Sequence, residues 1–194
     1  MTTATAAPTG RARVASSLRT LYLVRTAFSI IWVSLVFLLA STVTTGTHPS
    51  VIAIVLLTIY PLWDAIANYL DTRATPAASH LAQYINIALG ILAAVGILVV
   101  IGTGLTLALV VFGAWASLSG AIQLYLGLRR RKPIGGQWPM IISGGLSVLA
   151  GISFIITSGA PKTSLTTLAG YSAFGAFWYL VGALLLLRAA RRAD

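Results

Sequence analysis

Apolar residues fall along this chain in six runs, at about 20–40, 50–70, 81–101, 104–128, 138–158 and 165–188. Each is close to the ~20 residues an α-helix needs to cross a hydrocarbon core about 30 Å thick. The third and fourth runs form one nearly continuous block from Leu81 to Leu128. That block is too long for a single crossing, and the GTG at 102–104 supplies the turn. Pro49, Pro133 and Pro161 mark other loops. Pro61 lies inside the second run, where proline is tolerated if neighbours satisfy the carbonyl it frees. The pattern predicts an all-α, polytopic membrane protein with six transmembrane helices in a single domain, 18–194. Before it, MTTATAAPTGRARVASS (1–17) is small, polar and basic and reads as a disordered cytosolic tail. A cleaved signal peptide is the rival, but the apolar run that follows is too long and Arg25 interrupts it.

The polar positions repeat as well. VRTAFSIIWVSLVF from Val24, INIALGILAAVGIL from Ile85 and ISGGLSVLAGISFI from Ile142 align without gaps. So do WDAIANYLDTR from Trp63, SGAIQLYLGLR from Ser119 and VGALLLLRAAR from Val181. In that frame Arg73, Arg129 and Arg191 coincide, each nine residues after Asp64, Gly120 and Gly182. The unit is a helical hairpin ending in a basic stop, at about 20–73, 81–132 and 138–192. All three hairpins enter from the same side, so the repeats are parallel, and pseudo-threefold packing about the membrane normal follows. Small residues recur every four positions at Ser143, Ser147 and Gly151, at Gly90 and Ala94, and at Ala116 and Gly120. Such spacing lets helix backbones approach in lipid, where no hydrophobic drive is available between helices.

Composition sharpens this picture. Hydrophobic residues make up 58% of the 194 and charged residues 8%, with a mean hydropathy of +0.92. Soluble domains carry about 25% charged residues. Six spans leave only loops and tails, which excludes a separate soluble domain. The formal net charge of +10 would suggest nucleic acid in a soluble chain. Here the basic residues cluster at the ends of apolar runs, which points to topology and anionic lipid instead. Arg11, Arg13, Arg19, Arg25, Arg73, Arg129, Arg130, Arg131, Lys132, Arg188, Arg191 and Arg192 fall on one side, and Lys162 alone falls on the other. By the positive-inside rule both termini are cytoplasmic. Arg129, Arg130, Arg131 and Lys132 are a topology signal and candidate ligands for anionic headgroups, at about 1 kcal/mol each near the surface. There is no cysteine, so disulfides, thiolate metal sites and cysteine nucleophiles are absent. The excess of arginine over lysine, with abundant alanine and glycine, fits a GC-rich bacterial genome.

Within 81–188, FGAWASLSGAIQLYLGLRRRK (112–132) precedes QWPMIISGGLSVLAGISFII (137–156). A small-residue-rich even helix ends in arginines, a tryptophan opens the next span, and an SGxLSxxxG pattern follows. The chain here resembles the bacterial short-repeat membrane protein family of unknown function that includes the acid-resistance protein HdeD. The resemblance implies a six-span inner-membrane protein with a role in acid stress. It carries no catalytic residue, because the family has no agreed activity. The first hairpin departs from the pattern, with WDAIANYLD in place of a glycine and apolar residues.

That departure holds the chemistry. Asp64 precedes Arg73 by nine residues, about 13 Å of helix, and so lies near mid-membrane. A charge there costs roughly 2.5–3.5 kcal/mol and must be neutralised, paired or hydrated. Arg25 reaches a similar depth, about 9 Å inside Arg19. Asn68 lies one turn from Asp64 on the same face. Asn86, Gln123 and Ser143 fall in the cytoplasmic third of their helices, and Arg25, Asn86 and Ser143 are equivalent in the repeat. A polar layer shared by several helices follows if these side chains face inward. Three readings stand. An Arg25–Asp64 pair with amide hydrogen bonds locks the bundle. Alternatively, Arg25 snorkels to the headgroups while Asp64 stays protonated. Or Asp64 is a proton-responsive or substrate-binding group.

His48 and His80 read as surface residues, although either could sense pH. Trp138 reads as an interfacial anchor, and Trp32, Trp63, Trp115 and Trp178 as packing between helices. There is no phosphate-binding glycine loop, no zinc-spaced histidine pair and no serine with a His–Asp relay. Asp64 and Asp71 lack the further carboxylates a divalent metal needs. The expectation is a non-enzymatic membrane protein linked to acid or envelope stress, with anionic lipid as partner and no cofactor, metal or nucleic acid. A homo-oligomer suits helices this rich in small residues. The alternative is a small transporter or proton-coupled channel built on Arg25, Asp64, Asn68, Asn86 and Gln123.

Overall fold

The computed structural model describes residues 10–39, 49–75, 80–134, 136–160 and 165–191. They form α1 (Gly10–Leu38), α2 (Val51–Ala74), α3 (His80–Val100), a 3₁₀ turn (Ile101–Thr103), α4 (Leu105–Arg130), α5 (Trp138–Thr157) and α6 (Leu165–Arg191). No strand occurs among these residues, and six helices are long and apolar enough to cross a membrane.

Local chemistry sets the helix ends. The Ser50 side chain accepts a hydrogen bond from the Ala53 amide at 3.2 Å and caps α2. The helix then runs unbroken through Pro61. Between α3 and α4, Gly104 takes φ +118°, a conformation L side chains rarely adopt, and its amide donates to the Ile101 carbonyl at 3.1 Å.

The start of α1 differs from expectation. The helix opens at Gly10, so residues 10–17, read from the sequence as disordered tail, are helical. The cause is tertiary. Val14 and Ala15 lie against a cluster of Leu18, Tyr22, Ala183 and Leu186. Burial on α6 thus stabilises two turns whose own composition gives little sign of them. Residues 1–9 lie outside the described residues.

Each helix packs on the helices next to it in the chain, and α1 closes the bundle against α6. The closest seams are α4–α5, α1–α6 and α2–α3, which join one hairpin to another. The seams inside hairpins are looser, α1–α2 and α5–α6 most of all. Small residues explain this distribution. A Cβ added at Gly120 of α4 would lie 2.6 Å from the Ser147 Cβ of α5, and one at Gly113 would lie 2.6 Å from the Gly151 carbonyl oxygen. A Cβ at Gly90 of α3 would lie 2.6 Å from the Pro61 carbonyl oxygen of α2. Backbones this close gain dispersion contact that larger side chains would prevent.

The interior is layered. At the end carrying the 101–104 turn, Trp32, Leu57, Ile97, Leu109, Phe112, Leu165 and Leu168 form an apolar core. At the end carrying the chain termini, Leu18, Tyr22, Ala183 and Leu186 form a smaller one. Polar side chains occupy the layer between. The outer surface is strongly apolar, with Ile31, Leu92, Leu149 and Ile156 exposed.

Candidate functional site

Asp64 lies at the centre of the polar layer. Arg25 of α1 donates to its Oδ1 at 2.7 Å. Asn68, one turn along α2, donates to Oδ2 at 3.1 Å and to the Asp64 carbonyl at 2.8 Å. Asn86 of α3 donates to the same Oδ2 at 3.2 Å. The Arg25 guanidinium also donates to the Tyr179 hydroxyl of α6 at 2.9 Å and lies over that ring, 5.2 Å from its centroid. Tyr179 in turn donates to Gln123 Oε1 of α4 at 3.1 Å, and Gln123 Nε2 donates to the Met140 carbonyl of α5 at 3.4 Å. One hydrogen-bonded chain therefore touches all six helices. The carboxylate is met by a cation and two amides, the condition for holding a charge away from water.

The five residues expected in this layer, Arg25, Asp64, Asn68, Asn86 and Gln123, do come together. Of the repeat-equivalent set, Arg25 and Asn86 both bind Asp64, while Ser143 lines the adjoining cavity. Tyr179 was not anticipated. It is the residue that connects the Asp64 half of the layer to Gln123 and α5.

A second ion pair lies two turns nearer the termini. Arg130 Nη2 donates to Asp71 Oδ2 at 2.8 Å, and both residues are buried. Gln83, fully buried, is 3.5 Å from the same oxygen and donates to Thr75 Oγ1 at 3.4 Å. This corrects the sequence reading of Arg130 as a headgroup ligand beside Arg129, Arg131 and Lys132. The other three are exposed, as a lipid-facing role requires. Successive helical positions point about 100° apart, so one arginine of the run turns inward. Asp71 holds it there, because a carboxylate buried alone would be costly. The available signal was the seven-residue spacing of Asp64 and Asp71, which places both on one face of α2.

A cavity of about 60 Å³ lies within the layer, lined among others by Arg25, Asp64, Asn86, Ser119, Gln123 and Tyr179. Four atoms of its lining residues have no hydrogen-bond partner among the described residues: Asp71 Oδ1, Asn86 Oδ1, Ser119 Oγ and Trp115 Nε1. Trp63 stacks on Phe28 at 4.6 Å, Trp32 and Trp115 are buried in the apolar core, and Trp138 is exposed at the start of α5. His80 Nε2 lies 2.9 Å from the Thr75 carbonyl oxygen, while His48 falls outside the described residues.

Fold and site together define a helical, membrane-like protein of six apolar helices with a charged, hydrogen-bonded interior. Residues 85–156, from α3 through most of α5, match the family model described as a short repeat of unknown function, DUF308. No curated protein and no solved structure is similar enough to match.

Proposed function

We propose that this chain is a non-enzymatic, multi-pass protein of the bacterial cytoplasmic membrane, with both termini cytoplasmic. Its three parallel hairpins stand around a pseudo-threefold axis, and it serves acid or envelope stress through contacts with anionic lipid and with other membrane proteins, further copies of itself included. The stress assignment comes from the resemblance to the HdeD-containing family. The single observation that carries the non-transport part is the apolar plug between the polar layer and the end with the 101–104 turn. Asp64 and Asp71 are each paired with an arginine, and the core around Trp32, Phe112 and Leu168 fills the end beyond them. Arg129, Arg131 and Lys132, exposed at the end of α4 and just after it, are the groups offered to anionic headgroups.

One observation favours the alternative reading, a small proton-coupled transporter. The cavity beside Asp64 has room for a few waters and contains orphaned polar atoms. Proton flux into proteoliposomes separates the two. The expected result is no flux above protein-free vesicles between acid and neutral pH, for the native chain and for Asp64→Asn alike. Native flux that Asp64→Asn abolishes would overturn the structural reading and establish the transporter.

A further inference from the structure

The α5–α6 seam is one of the two loosest in the bundle. A groove of about 400 Å³ runs along it, walled by Leu146, Leu149, Ala150, Phe154 and Phe174. Its floor is shared with the central cavity, since Ser143, Ser147, Tyr171 and Gly175 line both. At that shared wall the Tyr171 hydroxyl donates to Ser147 Oγ at 3.0 Å. Across from it Gly175 leaves space, and a Cβ there would meet nothing within 4 Å. An apolar trough on the outside of the bundle thus ends on hydroxyl groups at the mouth of the polar chamber.

Three features select the occupant. Among the described residues none that lines the groove is charged, and the charges that line the chamber are engaged in ion pairs, so an ionic head would find no counter-charge there. Ser147 lies nine residues into α5, about 13 Å from the Trp138 end, near mid-bilayer. A phospholipid head anchored at the interface does not reach that depth. Finally, the groups at the mouth are hydroxyls, each able to donate and to accept. Their complement is another neutral hydroxyl attached to hydrocarbon.

We propose that the α5–α6 seam is a lateral binding site for a membrane-soluble alcohol. The hydrocarbon chain lies in the groove over Ala150 and Phe154, and the hydroxyl enters the Ser147–Tyr171 hydrogen bond. This deepens the lipid-contact reading given above and rests on it.

The test uses octanol carrying a photoactivatable diazirine. The probe is added to the full-length protein in nanodiscs of phosphatidylcholine and phosphatidylglycerol, and adducts are mapped by mass spectrometry. Label is expected to concentrate on α5 between Ser143 and Phe154 and on α6 between Tyr171 and Gly175. Excess octanol should compete, and octane or octanoate should not. Ser147→Ala with Tyr171→Phe removes the hydroxyls and should lower labelling about fivefold, the scale of losing a modest hydrogen bond. Gly175→Leu keeps those hydroxyls, fills the groove and should also block labelling. Even labelling of all lipid-facing helices, equal competition by octane, or indifference to both variants would overturn the site. Retention of phosphatidylglycerol by the native chain, compared with Arg129→Gln/Arg131→Gln/Lys132→Gln, is read in the same discs. Retention that falls in the triple variant without alcohol labelling sinks the seam site alone. Absence of both sinks the lipid-contact reading with it.

Discussion

Among four consecutive basic residues at the end of α4, Arg130 differs from the rest because its side chain is buried against Asp71. Truncating one partner of a buried pair leaves the other charge uncompensated, at about 3–5 kcal/mol. Arg129 is exposed, with its guanidinium 5.7 Å from the Tyr125 ring centroid, an arrangement contributing about 0.5–1 kcal/mol. Arg130→Leu is therefore expected to lower the thermal unfolding midpoint in detergent far more than Arg129→Leu. Equal small shifts would return Arg130 to the headgroup role. The sequence could give the shared level of Arg25 and Asp64 along the bundle, because helical rise alone sets it. It could not give the inward turn of Arg130, hidden in a run where every neighbour has the same charge. Tyr179 was hidden for a different reason: nothing in its apolar surroundings marks it as the link between Arg25 and Gln123.

At the scale of helices, glycines record which seams are tight. Gly120 is pressed against Ser147 and Gly144 of α5, whereas a Cβ at Gly145, one residue along, would meet nothing within 4 Å. Gly120→Ala is expected to destabilise by about 1–3 kcal/mol through overpacking, and Gly145→Ala to leave stability unchanged or slightly raised. Denaturant or thermal unfolding of the two variants side by side checks this, and equal effects would mean the α4–α5 seam is not close-packed. The small-residue spacing was legible in the sequence. The pairing was not, because a stripe of small residues says that some backbone comes close without saying whose. The two halves of a hairpin are neighbours, yet α1 packs most closely on α6 and α4 on α5.

At the scale of the molecule, the polar layer lies between two apolar clusters, and the exposed basic residues gather at the end that carries the termini. The proposed orientation puts that end in the cytoplasm. A single cysteine in place of Lys132, in a chain that has no cysteine of its own, should react with a membrane-impermeant maleimide in inverted vesicles and not in intact cells. Labelling from outside intact cells would reverse the orientation.

Six helices, their approximate ends apart from the start of α1, and the shared level of Arg25 and Asp64 were determined by the sequence alone. Apolar run length and helical rise are local quantities, and a backbone kept from water satisfies its polar groups within one segment only as a helix. Which helices pack tightly, which arginine turns inward, where α1 begins, and the groove that opens beside Ser147 and Tyr171 were decided by tertiary structure. Each depends on the shape and charge that residues far along the chain present, and no periodicity within one segment carries that information.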